Sequence, residues 1–401
     1  LWASNFKNPS GYGFAGWSST ANYVDSTKTK YYGPNETLSP TELASIAALD
    51  GYTLDSGGVT LYANWIPAST EYTMQTFNAS ACSSLASDGT GIIALRDTRD
   101  NNTYTVAKLA DGKCWMIENL RLDNTATLSP ANTNIASDWT KLTNSINQST
   151  GAIESESNHL TAPSTSGDYW CTTADSANCY NQSRLASQNV TDPASSMNTA
   201  NSNVYSYGNY YNWYSATAGY GVQEDGTRNA DESYSLCPNS WRLPSGGHAY
   251  AAGTTTTSVI NRNVGVDRTS SGTYIGFSDF YNLGYVLMNS NLTNGTTAYM
   301  SNANNGYSYY GTNTTSTNTN NKFNGKIGMA VFRSWPNNFL FSGRQNGAAT
   351  YHRGAYGLYW SSTALSTQSA YDLSLGTSNV YPGTASDYKY YGYSVRCLIN
   401  P

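Results

Sequence analysis

The side chains best suited to acid–base, nucleophilic or metal chemistry in this 401-residue chain are few: three histidines, six cysteines and scattered carboxylates. A Ser-His-Asp or Cys-His site needs a base within hydrogen-bond reach of a nucleophile. His248 in "SGGHAYAAG" and His352 in "TYHRG" sit in Gly/Tyr-rich, loop-like surroundings with no nucleophile motif, so both read as surface or structural histidines. Glycoside hydrolysis needs two carboxylates at a set separation. Asp168, Asp231 and Glu232 are candidates, but no spacing marks them as a pair. Calcium wants several oxygen ligands close together. "DTRDNN" (Asp97 to Asn102) offers them, and a solvated hairpin turn is the competing reading.

The cysteines are Cys82, Cys114, Cys171, Cys179, Cys237 and Cys397. None forms a CxxC pair, and His159, His248 and His352 are far from them in sequence, so zinc is not expected. An even count in an Asn/Ser/Thr-rich chain reads as disulfides made outside the cytoplasm, with reduced buried thiols as the alternative. Six cysteines allow about 15 connectivities. No catalytic residue, metal or cofactor is expected.

The elements that must position these residues follow from composition. Asn, Ser, Thr, Gly and Tyr dominate, and only 12% of residues are charged, which favours strands and long loops over helices. The expected class is mainly β with long loops and a few short helices (α+β). The net charge is -5 and no Lys/Arg-rich run occurs, so a nucleic-acid partner is not expected. No apolar stretch approaches ~20 residues, so no membrane span is expected in this chain. The first residue is leucine and no charged-then-apolar leader follows, so the chain reads as a mature or truncated product.

Residues 1–66 form a first unit. "GYGFAGW" (Gly11 to Trp17) reads as a strand, and "VTLYANW" (Val59 to Trp65) alternates with Val59, Leu61, Ala63 and Trp65 on one face. Between them, Ser39 as N-cap, Pro40 and Glu42 open a short helix with Leu43, Ile46 and Ala47 on its apolar face. These motifs resemble the internalin-type B repeat, with its "GYxFxGW" strand and closing "TLYAxW". The resemblance implies a small β-grasp-like spacer module whose opening strand is missing. An edge left bare in this way is expected to take a strand from upstream sequence or from a neighbouring copy.

Residues 70–401 form a second unit. Ile92 to Leu95, a polar turn at Asp100 to Asn102, then Tyr104, Val106 and a strand containing Cys114 and Trp115 read as a hairpin. Residues 125–200 are Ser/Thr/Asn-rich with little periodicity and read as an inserted run of loops. Further on, Ser278 is a plausible N-cap for a helix carrying Leu283 and Leu287. In order, "RDTRDNNTYTVAKLADGKCWMIENLRL", "YNWY", "CPNSWRLP", "YWSST" and "GYSVRC" resemble the landmarks of the FISUMP major paralogous domain. That resemblance implies a C-type-lectin-like fold of the formylglycine-generating-enzyme branch. The same scaffold carries the variable proteins of diversity-generating retroelements, and Pro336 to Cys397 is similar to their variable region. It also implies a scaffold bridge Cys237–Cys397 joining two landmarks, so the reactive cysteine pair of the formylglycine-generating enzymes is not carried over. Proximity gives the other expected bridges, Cys82–Cys114 and Cys171–Cys179.

The close of the chain, "SDYKYYGYSVRC", crowds tyrosines beside a fixed core strand. Tyrosine offers a large, stiff, amphipathic contact surface at small entropic cost. Alternation around Val395 and Cys397 predicts Arg344, Tyr351, His352, Tyr356, Tyr381, Asp387, Tyr388, Tyr390 and Tyr391 on one exposed face, with Trp360, Val395 and Cys397 beneath it. The expectation is an extracellular, cell-surface, non-enzymatic adhesin or receptor-binding module. Its partner would be a protein or glycan of another cell. The alternatives are a subunit of a surface filament or layer, whose face meets neighbouring copies, and a carbohydrate-binding lectin.

Overall fold

The computed structural model describes residues 8–18, 62–86, 91–122, 126, 128–135, 143–146, 153–158, 207–218, 233–246, 278–290, 323–324, 332–333, 335–346, 349–352, 354–366, 369–376 and 379–399. In chain order its strands are β1 (Tyr12–Ser18), β2 (Tyr62–Thr73), β3 (Ile92–Arg96), β4 (Thr103–Lys108), β5 (Cys114–Met116), β6 (Thr143–Ile146) and β7 (Ile153–Asn158). There follow β8 (Phe323–Asn324), β9 (Arg344–Asn346), β10 (Ala349–Tyr351), β11 (Gly357–Ala364), β12 (Ser369–Leu375), β13 (Asn379–Tyr388) and β14 (Leu398–Ile399). The helices are α1 (Ala79–Ser84), α2 (Trp213–Ala216) and α3 (Asp279–Ser290). The chain is mainly β with few short helices, as its composition predicts.

β1 and β2 pair antiparallel, Phe14 opposite Trp65 and Ser18 opposite Tyr62. Ala63 and Trp65, expected to share one face, are both half-buried, and Asn64 between them is the buried residue. Its amide donates to the Gly16 carbonyl at 3.4 Å, which compensates the burial of a polar group. The 39–47 helix, Val59 and Leu61 lie outside the described residues. β2 runs unbroken to Thr73 and turns parallel to β3, so both segments contribute to one six-stranded sheet, ordered β1-β2-β3-β4-β5-β14.

β1 also lies close across β3 and β4. A β-carbon on Gly13 would come within 2.5 Å of Thr105 Oγ1 and 2.7 Å of Ala94 Cβ, so glycine permits the approach. Thr105 Oγ1 donates to the Phe14 carbonyl at 2.8 Å. Ahead of β1, the Asn8 amide donates to the Thr103 carbonyl at 3.3 Å and to Glu118 Oε1 at 3.2 Å. Among the described residues β1 stays at the end of the sheet, paired with β2 and touched by the Thr105 side chain at Phe14.

The β3–β4–β5 meander follows its alternation and polar turn. The Asp97–Asn102 turn is solvated in part, with Thr98 and Asn101 exposed. Asp97 and Arg99 are both buried, Arg99 Nε and Nη2 fork onto the carboxylate at 2.6–3.0 Å, and Arg99 Nη1 donates to the Leu236 carbonyl at 2.6 Å. The guanidinium thus takes up both oxygens of Asp97, while the Asp100 carboxylate accepts from the Asn102 N–H and amide. Within 125–200, read as loops, β6 and β7 form an antiparallel hairpin.

The second sheet is ordered β11-β12-β13-β8, and β11 is buried along its length, as a strand covered on both faces must be. Phe280, Leu283 and Leu287 of α3 are buried, as their helical spacing predicts. The aromatic motifs are pinned through indole donors: Trp213 of α2 to the Ser361 carbonyl of β11 at 2.7 Å, Trp360 of β11 to the Tyr211 carbonyl at 2.8 Å, and Trp241 to the Met74 carbonyl, just past β2, at 2.6 Å. Two expected disulfides are present, Cys82–Cys114 and Cys237–Cys397. Cys171 and Cys179 lie outside the described residues.

Candidate binding face

The face is built on a short backbone junction. β9 pairs with β10, and Gln345 exchanges both backbone hydrogen bonds with Gly392, at 2.8 and 2.9 Å. This sets Arg344 over the terminal segment. Arg344 Nη1 donates to Asp387 Oδ2 at 2.7 Å, and its guanidinium lies 4.4 Å from the centre of the Tyr391 ring. The Tyr393 hydroxyl donates to the same Asp387 oxygen at 2.6 Å, while its ring stacks on Trp360 at 4.2 Å. Asp387 also accepts the Tyr388 N–H at Oδ1, 2.9 Å away, so it gathers three donors and ties the face to the core.

Around this base the rings divide by exposure. Tyr351 is 44% exposed, Tyr356 39% and Tyr388 44%. His352, also exposed, lies between the first two, 6.2 Å from the Tyr351 ring and 5.1 Å from the Tyr356 ring. Partial burial, and then the Arg344 charge, lower the basicity of its imidazole. Arg344 and Asp387 are half-buried. Tyr390 and Tyr391, expected outward, are buried at 8% and 9%. Strand alternation stops at Tyr388: the chain turns, with Tyr391 N donating to the Tyr388 carbonyl at 3.0 Å, and folds the next two rings beneath it. Tyr388 stacks on Tyr390 at 5.3 Å and meets Tyr391 edge-on at 5.8 Å, so the buried pair props the exposed ring.

Tyr381 is half-buried and lies opposite Ser374. It is six residues from Asp387 along β13, about 20 Å at strand spacing, so it stands apart from this group. Trp360, Val395 and Cys397 are buried, as expected.

Two residues here escaped the sequence reading. Lys389, in the middle of "YKYY", is buried with its ammonium 4.3 Å from the Trp213 ring centre. Asp372 is 1% exposed on β12, and its Oδ1 has no hydrogen-bond partner. A lone carboxylate in the otherwise apolar, small-residue run "SAYDLSL" was the available signal.

Away from the face, Asp279 is a second buried carboxylate of opposite character. Arg242 forks onto it at 2.5 and 3.0 Å, Lys113 donates to Oδ1, and Ser245 adds its N–H at 2.7 Å and hydroxyl at 2.9 Å. Burial alone would raise its pKa, but Arg242 and Lys113 outweigh burial and hold it far below the ordinary carboxylate range. Among the described residues no group of three or more His, Cys, Asp or Glu side chains is placed to hold a metal, and no helix is long and apolar enough to cross a membrane. No family model, curated protein or solved structure matches the chain.

Proposed function

We propose that this chain is an extracellular bacterial surface protein that binds another surface through the face centred on Arg344. One observation carries the reading: Tyr351, His352, Tyr356 and Tyr388 are exposed together around a base fixed by Asp387, Tyr391 and Tyr393. Monomers rarely display clustered large rings without a use for them, and rigid aromatics on a locked base bind at low entropic cost. The meeting of "YNWY", "CPNSWRLP", "YWSST" and "GYSVRC" in one core supports a C-type-lectin-like domain of the FISUMP pattern. The "GYGFAGW" and "LYANW" strands pairing antiparallel supports an internalin-type repeat ahead of it. The two disulfides favour an oxidising compartment.

The test uses beads coated with the protein, offered a glycan array and a panel of bacterial cells. Tyr351→Ala, Tyr356→Ala and Tyr388→Ala together should cost at least about tenfold in retention, because a few aromatic anchors dominate such contacts. The melting temperature should stay within about 3 °C, since surface substitutions cost little. Undiminished retention by the triple variant would refute the placement of the binding face.

A further inference from the structure

Under the tyrosine face the structure holds two carboxylates for one cation. In the β12–β13 register Asp372 lies opposite Ala385, and Asp387 is two residues further along β13. Side chains two apart share a face, so Asp372 and Asp387 are diagonal neighbours on one side of the sheet, about 7–8 Å apart. Trp360 lies opposite Asp372 on β11 and shares that side. Tyr393 covers it, stacked on Trp360 and bonded to Asp387. The half-exposed Asp387 accepts from Arg344, Tyr393 and the Tyr388 N–H, while the buried Asp372 has an oxygen with no donor.

A carboxylate buried without donors is expensive in its ionised form and takes up a proton instead. Burial pushes the Asp372 carboxyl well above the ordinary range; the Asp387 charge pushes further, and Arg344 opposes both. The charges facing it are thus Asp387 from β13 and Arg344 from β9, with the Tyr393 phenol from the terminal segment, while β11 contributes the neutral Trp360.

We propose that Asp372, Asp387 and Arg344 form a proton-operated latch that sets the tyrosine face. With Asp372 protonated, Arg344 rests on Asp387 alone and holds the Tyr391 ring, which in turn props Tyr388 and Tyr390. When Asp372 loses its proton, Arg344 is drawn between two anions, its contact with Tyr391 is lost, and the props slacken. The latch rests on the binding reading only in calling this face a binding surface. Its test therefore uses no ligand.

The measurement is thermal unfolding of wild type and Asp372→Asn from pH 3 to 9, with near-UV circular dichroism of the native state. The sign follows from the folded pKa lying above the unfolded one. Below about pH 4 both states are protonated and Asp372 carries no penalty; above it the unfolded chain ionises first, so wild type loses stability as pH rises. Asp372→Asn lacks this loss. The gap in melting temperature should open steadily in the variant's favour, reaching at least about 5 °C by pH 8. The wild-type tyrosine dichroism should weaken on the alkaline side and that of the variant should not. A gap constant with pH overturns the proposal, as does a gap that opens while the dichroism of both proteins stays the same. Should Asp372→Asn not fold, carbon-13 titration of wild-type aspartate carboxyls decides. A midpoint far above pH 4 for the assigned Asp372 carboxyl supports the latch, and an Asp372 titration complete by pH 5 overturns it.

Discussion

Removing each disulfide in turn separates chain closure from local packing. The Cys237–Cys397 bridge closes 160 residues and Cys82–Cys114 closes 32. The two loops do not overlap in sequence, so each closure counts in full. On the chain-entropy account the long loop contributes about 5 kcal/mol and the short one about 3.7 kcal/mol. All four cysteines are buried, so replacing either pair by alanine removes two core sulfurs, and the packing loss largely cancels between the two double variants. What remains is the logarithm of the loop ratio, 1.5RT ln(160/32), about 1.4 kcal/mol. Guanidinium unfolding should therefore place Cys237→Ala/Cys397→Ala below Cys82→Ala/Cys114→Ala by about that amount. Both should show steeper slopes than wild type, because the released unfolded chain exposes more surface. Equal losses, or a larger loss from the short loop, would refute closure as the stabilising contribution and point to the local fit of α1 on β5.

Asp279→Ala should cost about 3–5 kcal/mol, since it removes the buried carboxylate that Arg242 and Lys113 share. Because the folded pKa of Asp279 lies below the unfolded one, its stabilisation is present above about pH 4 and is lost on further acidification. Unfolding midpoints of wild type and variant should therefore converge toward low pH, and parallel curves would count against the network. Gly13→Ala should destabilise by about 1–3 kcal/mol through overlap with Thr105 and Ala94. Adding Thr105→Ala in the same chain should recover part of that loss in thermal melts, and no recovery would locate the strain elsewhere.

Much of the local structure was legible because period and punctuation agree. Ile92 to Met116 alternates around a polar turn, and Phe280, Leu283 and Leu287 recur at helical spacing. The scaffold bridge was legible only through the landmark motifs, since 160 residues separate its cysteines. Arg344, Asp387 and Tyr388 could be named in advance, but their arrangement could not. The turn after Tyr388 breaks the two-residue period, so alternation misplaced Tyr390 and Tyr391. Asp372 and Lys389 were hidden for a related reason. Burial of a charged group depends on what a distant strand or helix lays over it, here Tyr393 over the β11–β12 face and Trp213 against Lys389. Likewise, nothing near Gly13 in sequence announces that β4 passes beneath it.

The antiparallel ladder of β1 and β2 has a mechanical consequence. Its open end, where Tyr12 faces Pro67, is also where β2 continues into the rest of the sheet. A pull on the chain ahead of Asn8 therefore peels β1 pair by pair, the weakest way to load a strand, instead of shearing all its bonds at once. The Asn8 amide, fastened to Thr103 and Glu118, stands ahead of the first of those pairs. One side chain takes the load before any ladder bond does, and the force at which the ribbon opens is set there.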